Sequence, residues 1–253
     1  MKFSNYFIGI VVWASVVSLG CGVSKKMSDS VPISHEIWSG LLSKHVDDAG
    51  WIDYPGFQSD SLTLNQYLDL LRAGHPNDKN WTRDEQLAYW INAYNAFTVK
   101  LIIDHYPLES IKEIKNGIPF VNTVWDIKFI NIEGHEYDLN NIEHGIIRKQ
   151  FNEARIHFAV NCASVSCPKL SNEAYEAGRL DDQLTSAAKS FLADPMRNQV
   201  SDFKVSSIFS WFRGDFKDQS GTLVKFINQY APTPIPEDAN LDFLEYNWQL
   251  NEK

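Results

Sequence analysis

The chain has 253 residues, 44% hydrophobic and 22% charged, a composition that allows one sizeable core and excludes disorder of the whole. A formal net charge of -9 without a long basic run argues against a nucleic-acid surface or an anionic-membrane surface, because phosphate binding needs clustered Lys and Arg. Eight Trp, ten Tyr and fifteen Phe are many for this length; most belong in a core, and the surplus is available to line a groove.

Residues 1–20 read as an export signal. Lys2 supplies the positive start, and the apolar run Phe7 to Val17 is too short for a comfortable membrane span. It ends in Ser18-Leu19-Gly20-Cys21, which resembles a bacterial lipobox, whose Cys is lipidated and becomes the first residue of the mature protein. Ser18 and Leu19 depart from that pattern, which prefers Leu and a small residue there. An ordinary signal peptide or an uncleaved anchor is the alternative. The expectation is an exported lipoprotein of the bacterial cell envelope, on the periplasmic face or the outer membrane, anchored through Cys21. Residues 21–33 then form the lipid-attachment site and a polar tether, and 34–253 a single globular domain.

Ser34 is the expected N-cap of a first helix carrying Ile37, Trp38, Leu41, Leu42 and Val46 on one face. Trp51 to Gly56 reads as an extended piece and a turn, followed by an amphipathic helix with Leu64, Tyr67, Leu68 and Leu71 inward. The longest element runs from about Arg83 to Tyr106, opened by Thr82 and Glu85 in capping-box spacing and apolar nearly all round, so it should be central and buried. Asn92 and Asn95 lie three apart within it and must be hydrogen-bonded if buried, either to stitch the helix to neighbouring loops or to hold the Cys162 loop. Ser110 to Ile114 adds a further turn. Thr123 to Ile132 alternates as a strand, Glu133-Gly134 turns, and Asp138 caps a helix with Ile142, Ile146 and Ile147 inward and Glu143, His144 and Arg148 displayed.

Ile156 to Val160 reads as a buried strand that breaks at Asn161 into a small-residue loop holding Cys162, Ser164, Ser166 and Cys167, closed by Pro168. Small side chains there leave backbone N–H groups uncovered, as an anion-stabilising pocket beside a thiol requires. Strand alternation turns His157 away from Phe158, which leaves its reach to Cys162 in doubt. Beyond the loop come a helix over Leu180–Leu192, a short strand or hairpin over Gln199–Val205, and an aromatic segment from Ser207 to Phe216 read as a core helix. A helix over Thr222–Tyr230, a Pro-rich linker and a last strand over Leu241–Trp248 complete the chain. The fold class expected is α+β: a long central buried helix packed on a small, largely antiparallel sheet, with additional outer helices.

The motifs W-I-N-A-Y-N-A-F-T-V (90–99), V-W-D-I-K-F (124–129), N-N-I-E-H-G-I-I-R (140–148), H-F-A-V-N-C-A-S-V-S-C-P-K-L (157–170) and Y-N-W-Q-L-N (246–251) together resemble the domain of unknown function family numbered 547 over residues 35–251. The resemblance implies no activity. It does imply a Cys at position 162, whereas the position of Cys167 can be Ser in plant relatives, which favours a role for Cys162 beyond pairing. Function classes stay open on these residues. A thiol hydrolase or acyltransferase of papain-like or transglutaminase-like type would use Cys162 on an amide or thioester carbonyl, with His157 or His144 as base and Asn92, Asn95, Ser164 and Ser166 binding or orienting. The alternative is a non-catalytic envelope module binding a peptide or glycan, with a structural Cys162–Cys167 disulfide; a purely structural envelope protein is the third class. Two Cys with scattered His lack the spacing of a zinc site, so neither metal nor another cofactor is expected.

Overall fold

Amphipathic spacing produces the first helices, α1 (Glu36–His45), α2 (Tyr54–Ser59) and α3 (Ser61–Ala73), in a computed structural model that describes residues 28–115 and 123–253. The stretch read as an export signal and Cys21 lie outside the described residues. Residues 28–33, read as the end of a tether, are pinned: Ser30 Oγ donates to the His75 carbonyl, and Asn77 Nδ2 and Trp81 Nε1 donate to the Ser30 carbonyl. Ser34 sits one residue outside the α1 cap position, which His35 occupies. The expected turn at Trp51 to Gly56 is instead the start of α2, because the Asp53 side chain accepts from Gly56 N and Pro55 suits the first helical turn.

Helix α4 (Arg83–His105) is 23 residues long and carries the full Thr82/Glu85 capping box. Apolar on all sides, it lies buried, with α2, α3 and the segment Asn141–Ile147 packed around it. The strand expected from Thr123 shrinks to β1 (Ile130–Ile132), paired antiparallel with β2 (His135–Tyr137) through a turn in which Glu133 and Gly134 both take positive φ. Upstream, Val124–Asp126 is a 3-10 turn, because the Asp126 carboxylate accepts from the Thr123 backbone and hydroxyl and this local closure beats the alternation. Asp138 does cap, accepting from Asn141 N at 2.6 Å. The helix it starts is wound as a π-helix over Asn141–Ile147 before continuing as α5 (Arg148–Gln150).

The strand expected at Ile156 is absent. Residues Ala154–Phe158 form a 3-10 helix, started by the Glu153 side chain accepting from Arg155 N, and Ile156, His157 and Phe158 are all buried, which alternation forbids. Then follow α6 (Leu180–Ala193), β3 (Lys204–Ser206), α7 (Ile208–Trp211), α8 (Arg213–Ser220), α9 (Leu223–Asn228) and β4 (Asp242–Leu244). Strands β3 and β4 pair in parallel, so among the described residues only the first of the two small sheets is antiparallel. The fold is α+β, with helices far outweighing strands.

Two apolar clusters share the burial. One surrounds α4; the other gathers Phe158, Phe191, Phe209, Phe216 and Phe226 between α6, α8 and α9. Among the described residues no helix is long and apolar enough to cross a membrane.

Candidate functional site

A cleft of about 200 Å³ takes its walls from both clusters: Tyr94 of α4, Trp125, the π-helical Glu143 and His144, His157, the Cys162–Pro168 loop, Trp211 and Phe212, and the returning C-terminal segment with Tyr246 and Trp248. A larger hollow of about 450 Å³ runs past Asp48, Lys169 and Arg179, but its two cations are already engaged, Lys169 Nζ on the Asp48 carbonyl and Arg179 on Glu173. The cleft is the candidate site because cysteines, histidines and open aromatic faces converge there.

The loop is held from below. Asn95 Nδ2 donates to the Ala159 carbonyl and Asn95 Oδ1 accepts from Asn161 N, both at 2.9 Å. Asn161 passes this anchoring on, its Nδ2 donating to the Pro168 carbonyl and its Oδ1 accepting from Ala163 N. Ala163 takes a positive φ of 60°, which turns the chain tightly past Cys162. The C-terminal segment closes the outside: Val165 N donates to the Gln249 carbonyl, Ser166 N to the Asn247 carbonyl, and Ser166 Oγ accepts from Asn247 N. Cys162 and Cys167 are joined in a disulfide across this loop. Ser164 Oγ donates to Tyr246 Oη at 3.1 Å, which leaves the Tyr246 hydroxyl proton for Cys162 Sγ at 3.2 Å.

The aromatic wall is continuous. Trp211 lies against Tyr246 with ring centroids 4.8 Å apart, Tyr246 against Trp248 at 4.5 Å, and Trp248 against Trp125 at 5.6 Å. Lys112 Nζ sits 3.6 Å from the Trp248 ring centroid and fixes that ring from outside. Trp211 is 50% exposed, a cost for so large an apolar surface that a bound partner would remove.

His144 and His157, which line the cleft, join one polar chain whose other members, Arg148 and Asp215, line a different hollow. Arg148 clamps Asp215 with two hydrogen bonds, Nε to Oδ2 at 2.7 Å and Nη2 to Oδ1 at 2.9 Å, and its Nη1 lies 3.2 Å from His144 Nδ1. His157 Nε2 is 2.8 Å from Asp215 Oδ2. Burial alone would raise the Asp215 carboxyl, but the hydrogen bonds from His157 and Arg148 outweigh it and hold the group below its ordinary range. An ionised carboxylate only accepts, so His157 donates through Nε2–H and keeps its lone pair on Nδ1, which is buried and has no hydrogen-bond partner. Burial pushes the His157 pKa down against Asp215 and Glu143, so the ring stays neutral, stacked on Phe212 at 3.9 Å between centroids. Burial likewise raises the Tyr246 phenol well above its usual range, with Ser164 and Arg197 opposing and Glu143 reinforcing.

The structure brings Cys162, Cys167, His144 and His157 to one cleft and puts Ser164 beside the sulfur. Neither histidine hydrogen-bonds to Cys162 Sγ; the Tyr246 hydroxyl donates to it, and Ser164 Oγ lies 3.4 Å away with its own proton on Tyr246. Glu143, expected on the surface, is buried, because it stands one residue after Ile142 and four before Ile147, on the side of the helix that these residues bury. Asn95 holds the Cys162 loop, whereas Asn92 stitches α4 to Tyr175 N and O. Ser166 is a clasp for the C-terminal segment rather than a cleft residue. Asp215, Trp211 and Tyr246 escaped the sequence-based expectation. Asp215 and Trp211 lie in a stretch read as core packing, and Tyr246 lies in a motif that carried the resemblance but suggested no chemistry. Among the described residues no group of His, Cys, Asp and Glu is placed to hold a metal ion.

Fold and site thus define an α+β chain with an aromatic cleft walled by a small disulfide loop. Residues 79–192 match the model of a family described as Protein of unknown function, DUF547. That match takes in the four motifs from 90 to 170 and ends before the terminal one at 246–251. No curated protein and no solved structure matches the chain.

Proposed function

We propose that the cleft is the ligand site of an exported envelope module, anchored through a lipidated Cys21, which binds a peptide or glycan segment. The observation that carries this is the continuous wall of Trp125, Trp211, Tyr246 and Trp248, which lines one cleft with Asn140, Glu143 and His144. Aromatic faces stack on sugar rings or apolar side chains, while a few polar groups opposite them set orientation. Intrinsic tryptophan fluorescence titrated with short glycans and peptides tests the proposal. Trp211→Ala should weaken the binding about tenfold, or about 1.4 kcal/mol. No saturable change with any member of such a panel, in folded protein, removes the binding role. Detergent partitioning of the mature protein, lost in Cys21→Ala, tests the anchor.

A second reading is favoured by the unpartnered Nδ1 of His157, which lines the same cleft as Cys162. Reduced Cys162 would then be a nucleophile toward a thioester or amide, with His157 as base. It ranks below binding because Cys162 is disulfide-bonded and hydroxyls, not imidazoles, contact its sulfur. Mass analysis of reduced protein mixed with activated thioesters would detect an acyl group on Cys162. Its absence at every pH tried, together with no turnover, removes the hydrolase.

A further inference from the structure

Both sulfurs of the Cys162–Cys167 pair carry a hydrogen-bond donor. Tyr246 Oη lies 3.2 Å from Cys162 Sγ, and its proton is free for that sulfur because Ser164 Oγ supplies the bond between the two hydroxyls. The backbone N–H of Cys162 donates to Cys167 Sγ at 2.8 Å. A disulfide sulfur is a weak acceptor and gains little from such donors; a thiolate is a strong one, and donors aimed at it lower its pKa and stabilise the reduced state.

The usual alternative, a staple, fits these surroundings poorly. A ring with a sequence separation of 5 removes little chain entropy from the unfolded state. The loop is also shaped without it, by Asn95, Asn161 and the 247–249 backbone on both sides. Cys167 is 2% exposed, whereas Cys162 is half-buried in the cleft wall beside Trp211 and Tyr246. Arg197, itself buried, donates to the Cys167 carbonyl while paired with Asp194, so a cationic side chain adjoins the buried end of the pair.

We propose that Cys162–Cys167 is an exchange-active disulfide with a fixed polarity, in which Cys162 is the sulfur attacked from the cleft and Cys167 the buried leaving sulfur. The co-reactant is a thiol, either a small monothiol or the dithiol of a partner protein. Its thiolate attacks Cys162 Sγ, the Cys162–Cys167 bond breaks, and the electron pair leaves on Cys167 Sγ, where the Cys162 N–H receives it. A second thiolate then attacks the incoming sulfur of the mixed disulfide, which releases the oxidised co-reactant and leaves Cys162 as a thiolate facing the Tyr246 hydroxyl. Two thiols are oxidised to one disulfide, the protein pair is reduced by two electrons, and the protein thiolates take up protons from water. This exchange is independent of the ligand proposed for the cleft, since it is read with small thiols alone.

The test is equilibration of the folded protein in glutathione buffers of graded ratio, followed by acid quench, alkylation and mass analysis. Reduction should occur without denaturant and with an unchanged circular dichroism spectrum. Tyr246→Phe, which keeps the ring and removes the donor, should lower the equilibrium constant for reduction about tenfold, or about 30 mV for this two-electron couple. With oxidised glutathione, Cys162 in Cys167→Ser should form the mixed disulfide at least about tenfold faster than Cys167 in Cys162→Ser, as the sulfur with access reacts first. A disulfide that resists millimolar thiol until the protein unfolds overturns the proposal, as does an equilibrium constant unmoved by Tyr246→Phe. Equal or reversed rates in the two Ser variants overturn the polarity. If either Ser variant fails to fold, mass mapping of the wild-type mixed disulfide trapped by acid quench decides the polarity: glutathione on Cys162 supports it and glutathione on Cys167 overturns it.

Discussion

Replacing Asn95 by Leu should destabilise the protein and loosen the cysteine loop together. The side chain is 2% exposed and its amide serves both the Ala159 carbonyl and the Asn161 N–H. Leucine has as many side-chain heavy atoms and is bulkier, so no cavity opens, but both backbone groups lose their partner where water does not reach. Each such group costs about 1 to 3 kcal/mol, and the apolar gain of leucine offsets part, so a net loss of about 3 kcal/mol follows. For a protein of this size that is a fall in melting temperature of about 6 to 12 °C. Asn92→Leu is the matched comparison, because Asn92 makes the same bidentate contact to Tyr175 with distances of 2.8 and 2.9 Å. Both variants should lose similar stability by calorimetry. Only Asn95→Leu should speed amide hydrogen exchange at Asn161, whose N–H it frees. A melting temperature equal to wild type, or unchanged protection at Asn161, would refute the claim that α4 holds this loop through Asn95.

Acid should weaken the fold before ordinary carboxylates titrate. Burial holds His35 at about 4 and keeps His157 below its usual value, so both are neutral when folded while an unfolded chain protonates them near pH 6.5. Their contribution is therefore complete above about pH 6.5 and declines as pH falls through the folded values; Asp215, depressed by His157 and Arg148 against its burial, adds a loss below about pH 4. Urea unfolding from pH 7 to 4 should show this slope, and His35→Gln should flatten it; a flat wild-type profile contradicts the neutral assignments. Gly50→Ala should cost about 2 kcal/mol or more, since φ is +84° and the added Cβ would lie 2.1 Å from Lys169 Cβ and 2.8 Å from its Cα. Gly178→Ala, with nothing within 4 Å, should stay within about 0.5 kcal/mol of wild type, and equal losses in the two would disprove the steric reason.

Local and periodic features were legible in the chain itself. The capping box of Thr82 and Glu85, the apolar circumference of α4, the inward stripe of α3 and the Asp138 cap are set by neighbours a few residues apart, so spacing alone reveals them. So was the meeting of Asn161, Cys162 and Cys167 in a small-residue loop. Alternation misled at Thr123 and Ile156, where side chains of Asp126 and Glu153 close 3-10 turns that a period-two pattern does not register.

The cleft was decided only by tertiary structure, because its parts are far apart in the chain. Tyr246 reaches Cys162 across 84 positions, and Asp215 reaches His157 across 58. What chooses Asp215 over other carboxylates is the packing of α8 on the Ala154–Phe158 turn, which sets it, partly exposed, between Arg148 and the buried His157. Sequence by itself thus determined the helices whose caps and apolar stripes are local, α3 and α4 above all. Long-range packing decided which polar groups meet, since burial and partner distance, not residue type, set their hydrogen bonds and protonation.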